Sequence, residues 1–503
     1  MTVTDLNCEY LGLSRLCLME SAGKSLAEEV GKIAVYTFSK PVKIIIFTGS
    51  GGNGGDGFVA ARYLLNRGYD VDIYMLKDKN GIHSAEANYE ILENMKPRFS
   101  RLTIHNLNTI EDINNCEVAN TDSFSEFIII DGILGTGING KLRENIKRAI
   151  EVINDSNGLT ISVDVPSGLD PLTGQIHDVA VKPQYTVSFH KVKTGIHKAG
   201  EEKVGGIVTC DIGIPIEAEY FINHGDMIKL NKRSLKSHKG NNGKVLIVGG
   251  SKEYSGAPSI AGLAAIGAGA DLVYVAAPES AALAISTHPD LIVNSLKGDY
   301  LTTEHTEEIL EIAEKVDAVL LGPGAGINDE TGKLLNILAS KIKKPLVLDA
   351  DALKQVKPQI IKNRDDVILT PHIFEFKSFF GKDIKLDLDS YDFAEVDENI
   401  SEFQQVVKQI SGAVVVKGAI DLVIQKNKFK LNKSGNPGMT VGGTGDALAG
   451  IATSLLSKGL NAFDAATLAI FINGLAGDEA YLEKGYGFGA TDVVSHIGKV
   501  IKG

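Results

Sequence analysis

An apolar run, Val42–Thr48, breaks directly into Gly49-Ser50-Gly51-Gly52-Asn53-Gly54-Gly55-Asp56-Gly57, and an amphipathic stretch, Phe58–Arg67, follows. No other feature constrains the fold as much. A short, continuous apolar run reads as a strand covered on both faces, which is the signature of a parallel sheet between helices. Glycine lets the turn after it adopt positive φ and approach a ligand closely. The start of the following helix presents bare amides and the positive end of its dipole to an anion. The run is not a Walker A loop, because no Gly-Lys-Ser/Thr follows it. Asn53 and Asp56, embedded in it, also set it apart from a bare G-x-G-x-x-G turn.

The same grammar recurs along the 503 residues. Val71–Leu76, Phe127–Asp131, Thr160–Asp164 and Tyr185–Phe189 read as further strands, and Ser14–Phe38 as a helix. Beyond a polar, glycine-containing stretch, Asn223–Asp226, come Lys244–Val248, Leu272–Ala276, Ala318–Leu321, Leu346–Asp349, Val367–Leu369 and Ala413–Lys417 as strands. Ser259–Gly269 and Ala447–Leu456 read as helices of small residues, and Gly381–Glu402 as an acidic loop leading into a helix. The expectation is two α/β domains, 1–224 and 225–503, each three layers deep.

Charge and cysteine usage narrow the class. A net charge of −12 excludes a general nucleic-acid binder, which needs a basic footprint. Cys8, Cys17, Cys116 and Cys210 form no C-x-x-C pair, so neither a zinc site nor a disulfide framework is expected. The N-terminus shows no basic start before an apolar run, and no apolar run is long enough to span a bilayer. A cytoplasmic protein without membrane partners is expected. The small-residue helix Ser259–Gly269 suits packing against another copy, so a homo-oligomer is expected.

Three strand ends in the first half carry polar groups where α/β sheets place ligands: the glycine run, Asp131-Gly132-Ile133-Leu134-Gly135-Thr136-Gly137, and Val163-Asp164-Val165-Pro166-Ser167-Gly168. They offer Asn53, Asp131 and Ser167 as hard oxygen ligands, and Asp56 and Asp164 as titratable groups. Such donors suit an alkali or alkaline-earth cation rather than zinc. These segments, with Leu18-Met19-Glu20-Ser21-Ala22-Gly23 before them, resemble the NAD(P)H-hydrate epimerase family, whose domain is Rossmann-like. The resemblance implies that Gly52, Asn53, Gly54, Gly55 and Asp56 line the site of the damaged nucleotide. It implies the same for Gly135, Thr136, Gly137, Ile138, Asn139, Gly140 and Lys141, and for Asp164. It makes Asn53, Asp131 and Ser167 potassium ligands. Asp164 is the candidate acid/base, since a carboxylate beside the substrate can move a proton. Gly52 departs from the family, which usually has Asn there.

In the second half, Gly435-Asn436-Pro437-Gly438-Met439-Thr440-Val441-Gly442-Gly443-Thr444-Gly445-Asp446 opens the helix Ala447–Leu456. Glycine amides at a helix start can hold a polyphosphate, and Asp446 is placed to take a proton from a substrate hydroxyl as phosphate transfers. Gly-Gly-Thr-Gly-Asp resembles the ribokinase-like fold. Ser237-His238-Lys239-Gly240, Gly249-Gly250-Ser251, Tyr254-Ser255-Gly256-Ala257-Pro258, Gly322-Pro323-Gly324-Ala325-Gly326, Leu348–Leu353, Thr370-Pro371-His372 and Val416-Lys417-Gly418 together resemble the ADP- or ATP-dependent NAD(P)H-hydrate dehydratases. The resemblance implies that Ala257, Gly324, His372 and Asp446 contact the hydrated nucleotide. Lys417, Gly418, Ala419, Ile420, Asp421 and Gly445 would hold ADP or ATP, with magnesium offsetting the polyphosphate charge.

Together the halves imply a bifunctional enzyme. It would epimerise NADHX and NADPHX and dehydrate one epimer, spending ADP or ATP. Two departures stand in the second half. Ile373-Phe374 replaces the family's Pro-Gly before Glu375, and Val441 replaces a residue that is often Lys or Thr. Two other readings compete. A small-molecule kinase would leave a stable phosphorylated product, and a nucleotide sensor would bind without turnover.

Overall fold

The computed structural model describes every residue except Met1, 77–82, 99, 121–125, 136–140, 177, 231–232, 386–387, 389–392 and Gly503. Two compact units emerge: Cys8–Pro215, and Ile216–Gly503 together with Met1–Asn7. The sequence reading divided the chain at 224/225 and gave the first residues to the first domain. The second unit takes both in because Asn7 is built into it. Asn7 Nδ2 donates to the Ala218 carbonyl and to Asp226 Oδ2, each at 3.1 Å, and Asn7 Oδ1 accepts from Gly225 N at 2.9 Å.

The first unit is built on seven strands: β1 (Lys43–Thr48), β2 (Val71–Met75), β3 (Leu102–Asn106), β4 (Phe127–Gly132), β5 (Leu159–Val163), β6 (Tyr185–Phe189) and β7 (Gly206–Cys210). Their order is β3-β2-β1-β4-β5-β6-β7, and every pairing is parallel. The order reverses between β1 and β4, so the crevice outside their C-terminal ends is where a doubly wound sheet takes its ligand. Alternate residues feed opposite faces: Ile45 and Phe47 join Ile129, Ala149 and Ile153 in one core, while Gly57 of the glycine helix lies over Ile46 on the other. Neither β3 nor β7 is evident as an apolar run, because both are sheet edges with alternating exposure.

The second unit carries nine strands: β8 (Lys244–Val248), β9 (Leu272–Pro278), β10 (Ile292–Leu296), β11 (Ala318–Leu321), β12 (Leu346–Leu348), β13 (Val367–Leu369), β14 (Ala413–Val416), β15 (Asp421–Gln425) and β16 (Lys428–Asn432). The order is β10-β9-β8-β11-β12-β13-β14-β15-β16. The last two pairings are antiparallel and the rest parallel. The three layers follow from β8 alone. Val245 and Ile247 pack into a core with Ala261, Leu448 and Leu468, whereas Leu246 and Val248 pack into another with Ile309, Leu334 and Phe403. Here the order reverses between β8 and β11.

The small residues set aside for a partner copy are used within the chain. Helix Gly256–Gly267 lies so close to helix Thr444–Ser457 that a Cβ on Gly450 would sit 2.0 Å from the Ala261 carbonyl oxygen. None of the four cysteines forms a disulfide among the described residues. Among the described residues, no helix is long and apolar enough to cross a membrane.

Candidate active sites

At the switch point of the first unit the helix begins at Gly52 rather than Phe58, with Gly51 as its N-cap. Asn53 and Asp56 therefore stand in its first turns, and the first amides of the helix have no acceptors within it. Its glycines divide by role. A Cβ at Gly51 or Gly52 would meet nothing within 4 Å, so the Gly52 departure leaves open space. At Gly54 a Cβ would clash with the Gly49 carbonyl oxygen at 1.9 Å, and at Gly55 with Met19 Cε at 2.5 Å. At Gly23 a Cβ would likewise clash with Val59 Cβ, at 2.4 Å. The Leu18–Gly23 motif is thus a packing device: it seats helix Arg15–Thr37 against the glycine helix.

Asn53, Asp131 and Ser167 meet. Asn53 Nδ2 donates to the carbonyls of Leu134, at 3.3 Å, and Val163. The fully buried Asp131 accepts from Ser162 Oγ at 2.8 Å, Ser167 N at 2.9 Å and Ser167 Oγ at 2.5 Å. Burial pushes its carboxyl above the usual range despite these donors. Gly135 leaves room for the cluster, since a Cβ there would lie 2.1 Å from Asn53 Oδ1. The Asp131 carboxyl, the Ser167 hydroxyl and the Asn53 side-chain amide oxygen are hard donors gathered at one place. That chemistry fits a monovalent cation.

Asp164 follows β5 with φ of 63°, a left-handed conformation that Asp tolerates better than most residues. Its Oδ1 accepts from Phe189 N at 3.1 Å and is ion-paired with Lys193, a buried residue just beyond β6. Sequence reading missed Lys193. The only signal was its place after Tyr185–Phe189, since three earlier strand ends in the same half had shown polar groups. Asp56 is buried in the same neighbourhood. Burial, and then the charge of Asp164, hold its carboxyl well above the usual range, with Lys193 acting against them. Lys141 is described and Thr136–Gly140 lie outside the described residues.

In the second unit, a cavity of about 800 Å³ opens beside the N-terminus of helix Thr444–Ser457. His372, Lys417, Gly418, Ala419, Asp421 and Gly445 line it, opposite an apolar wall that includes Leu448 and Ile470. Ile420 turns away and packs against the hydrophobic core. Asp421 accepts from Gly418 N at 3.0 Å and Asn432 Nδ2 at 2.9 Å, closing the turn. Burial raises its carboxyl to about 6. Two lining or bracing residues escaped the sequence reading. Asn473 Nδ2 reaches the Thr444 carbonyl at 3.3 Å. Asp478 accepts from Gly435 N at 2.9 Å and Asn436 Nδ2 at 3.0 Å, fixing the loop that walls the cavity. Both lie on a long buried helix, Ala462–Lys484, that reads simply as core.

Asp446 stands at the third position of its helix, among Asp349, Asp351, Glu375 and Lys417. Burial, with Asp349 next, lifts its carboxyl to about 7, and Lys417 pulls the other way. Lys417 Nζ is 3.6 Å from Asp349 Oδ1 and would touch a Cβ on Gly445 at 3.3 Å. Ala350, between Asp349 and Asp351, is strained at φ 49°, ψ −116°, a region that favours glycine. No three carboxylates or imidazoles among the described residues converge on a metal by themselves.

His372 both caps and faces the cavity. Its Nδ1 accepts from Glu375 N at 3.1 Å while Glu375 Oε2 accepts from His372 N at 3.0 Å, so the pair forms a capping box on helix Ile373–Phe380. Glu375, kept where the Pro-Gly turn is lost, holds the histidine in place. Phe374 is 73% exposed. Val441, 38% exposed, does not line the cavity. Its carbonyl accepts from Thr444 Oγ1 at 3.2 Å. Ala257 and Gly324 stand together at the second switch point, where Ala257 Cβ would be 3.4 Å from a Cβ on Gly324.

Two families match these units. NAD(P)H-hydrate dehydratase covers residues 245–499 and YjeF-related protein N-terminus covers residues 15–195. A bifunctional NAD(P)H-hydrate repair enzyme from Methanothermobacter thermautotrophicus is 46% identical over 507 residues, spanning 100% of this chain and 94% of the relative. One from Hyperthermus butylicus is 40% identical over 511 residues, spanning 99% of this chain and 90% of the relative. A solved ribokinase-like superfamily protein from Enterococcus faecalis superposes with a TM-score of 0.49 at 23% identity, covering 56% of this chain and 95% of that one. Full-length similarity at this level makes the chain a member of the bifunctional NAD(P)H-hydrate repair enzyme family.

Proposed function

We propose that the first unit interconverts the two epimers of NADHX and NADPHX, and that the second dehydrates one of them at the expense of ADP or ATP. The observation that carries the second assignment is Asp446, a carboxyl lifted to about 7 at the head of a helix that opens on a cavity of about 800 Å³. A base of that strength suits proton removal near neutrality. Lys417, Gly418, Ala419, Asp421 and Gly445 hold the nucleotide, while Ala257, Gly324 and His372 contact the hydrated ring.

The chemistry balances. Asp446 takes the proton of the ring hydroxyl as its oxygen bonds to the terminal phosphorus, and the bond from that phosphorus to the nucleotide breaks. The ring nitrogen then pushes out phosphate with the C–O electron pair, and loss of a proton from the next carbon restores the dihydropyridine. The helix N-terminus and Lys417 stabilise the charge developing on the phosphoryl group. Magnesium, bound through the phosphates with Asp349 or Asp351 nearby, would neutralise polyphosphate charge. In the first unit, Asn53, Asp131 and Ser167 would hold potassium, whose fixed charge orders the strand ends around the substrate. Asp164 moves the proton of the epimerisation.

The test is absorbance of the reduced nicotinamide, starting from both NADHX epimers with magnesium and either ADP or ATP. Full recovery, dependent on nucleotide, supports both activities. Recovery that stops at the fraction held by one epimer overturns the epimerase assignment. A stable phosphorylated product overturns the dehydratase assignment in favour of a kinase.

A further inference from the structure

We infer that Lys193 is the positioning residue of the epimerase site, holding Asp164 as the base opposite Asp56 as the acid. The inference rests on the epimerase reading of the first unit.

Three ionisable groups share one buried pocket there. Asp56 comes from the helix after β1, Asp164 from the turn after β5, and Lys193 from the turn after β6. All three are under one-tenth exposed. The charged groups acting on Asp56 are Asp164 and Lys193. Two carboxyls and one ammonium sum to a single uncompensated negative charge if neither carboxyl keeps its proton, and to zero charge if one does.

The structure decides which one. Asp164 Oδ1 receives the Lys193 ammonium, the Phe189 amide at 3.1 Å and the Ser188 hydroxyl at 3.5 Å. Asp56 receives no hydrogen bond or ion pair from any described residue, and burial favours its neutral form. Lys193 is itself fixed, its Nζ donating to the Phe189 carbonyl at 3.0 Å. Neighbouring carboxyls pushed apart in this way make an acid and a base.

The reaction needs both. In a hydrated dihydropyridine the hydroxyl sits on the carbon bonded to the ring nitrogen. Asp164 takes the hydroxyl proton, the C–O bond becomes a carbonyl, and the C–N bond breaks with its electron pair going to nitrogen. Asp56 gives that nitrogen a proton. Rotation about the adjacent C–C bond turns the other carbonyl face inward. Nitrogen re-adds and gives its proton back to Asp56, while Asp164 returns the other proton to the oxygen, so both carboxyls end as they began. No oxidant or co-reactant is consumed. Without Lys193, Asp164 Oδ1 would lose its ion pair and the contact that fixes it beside Phe189.

The experiment follows one resolved NADHX epimer by chromatography, without ADP or ATP so that dehydration is silent, from pH 6 to 9 on the full chain. Lys193→Met should lower kcat by about 10²-fold, the lower range for one acid–base contribution. It should also move the rising limb of the pH profile upward. Lys193→Arg, which keeps the charge, should retain most of the rate and leave the limb in place. Wild-type kcat and pH profile in Lys193→Met would overturn the inference. So would equal losses in both variants with an unmoved limb, which mark a purely structural role. If Lys193→Met fails to fold, the position of the limb in Lys193→Ala with and without added methylammonium decides. Rescue with a restored limb supports the inference and no rescue overturns it. A wild-type chain that does not epimerise at all would instead refute the epimerase reading itself.

Discussion

Replacing Asp446 by Asn should cost activity and add stability, and the size of the gain should depend on pH. The Asp446 carboxyl sits at about 7 instead of the usual 3.8. At about 1.4 kcal/mol per pH unit, that gap corresponds to roughly 4 kcal/mol. The side chain keeps some access to solvent, so about half, ~2 kcal/mol, is a fairer figure. The sign follows from linkage. The folded carboxyl binds its proton more tightly than the unfolded one, so the group favours folding below about pH 4. That contribution is lost as pH rises from about 4 to 7, and the full penalty applies above 7. Asn carries no such penalty. Asp446→Asn should therefore melt about 4–6 °C higher than the parent at pH 8, using a few degrees per kcal/mol for a unit of this size. At pH 5 the gap should shrink to less than half. Dehydration should fall by about 10²–10⁴-fold, the usual share of a general base. In the parent, kcat/KM should drop tenfold per pH unit below about 7. Calorimetry at the two pH values and recovery of reduced nicotinamide absorbance read these effects. Equal melting shifts at pH 5 and 8, or retained dehydration, would refute the placing of a buried, high-pKa base at this position.

Gly135→Ala forces a Cβ to 2.1 Å from Asn53 Oδ1. It should abolish epimerisation and destabilise the first unit by about 1–3 kcal/mol, while dehydration measured with a single competent epimer stays within twofold. Ala350→Gly relieves a strained backbone and should raise stability by about 1 kcal/mol, the strain less the entropy glycine adds to the unfolded chain. A denaturant midpoint that falls would count against it. His372→Ala removes half of a capping box and should cost about 1 kcal/mol, together with a higher KM for the hydrated nucleotide and an unchanged KM for ADP or ATP. A rise confined to the nucleotide KM would assign His372 to the other substrate.

Both switch points were legible because fully buried strands such as Lys43–Thr48 and Lys244–Val248 leave unbroken apolar runs, and glycine clusters follow them. Edge strands were not. Leu102–Asn106 and Gly206–Cys210 are exposed at alternate positions, so neither needs an unbroken apolar run. The hairpin of β15 and β16 was hidden by Lys428 and Lys430. The glycine run misled in one respect. Gly52–Gly57 looks too flexible for a helix, yet Gly54 and Gly55 are helical because tertiary packing against Gly49 and Met19 outweighs their poor propensity. Residue types at strand ends pointed to Asn53, Asp131, Ser167 and Asp164. Asp478 was invisible, and Lys193 had only its place after a strand to mark it, because a single charged residue in a turn or a helix carries no periodic or spacing signal. Ile420 was carried along by its neighbours Lys417–Asp421, although a strand turn sends successive side chains in different directions.

The chain leaves the second unit after Asn7 and re-enters it at Ile216, so the first unit is inserted into the second. During synthesis the docking segment emerges first, and its receptors, Ala218 and Asp226, follow some two hundred residues later. The opening residues must stay unmated while a whole domain is made. Closing that long loop costs entropy that grows only slowly with its length, so the arrangement is tolerable once both ends exist. A nick between Pro215 and Ile216 would sever one of two crossings and leave the units covalently joined through the other.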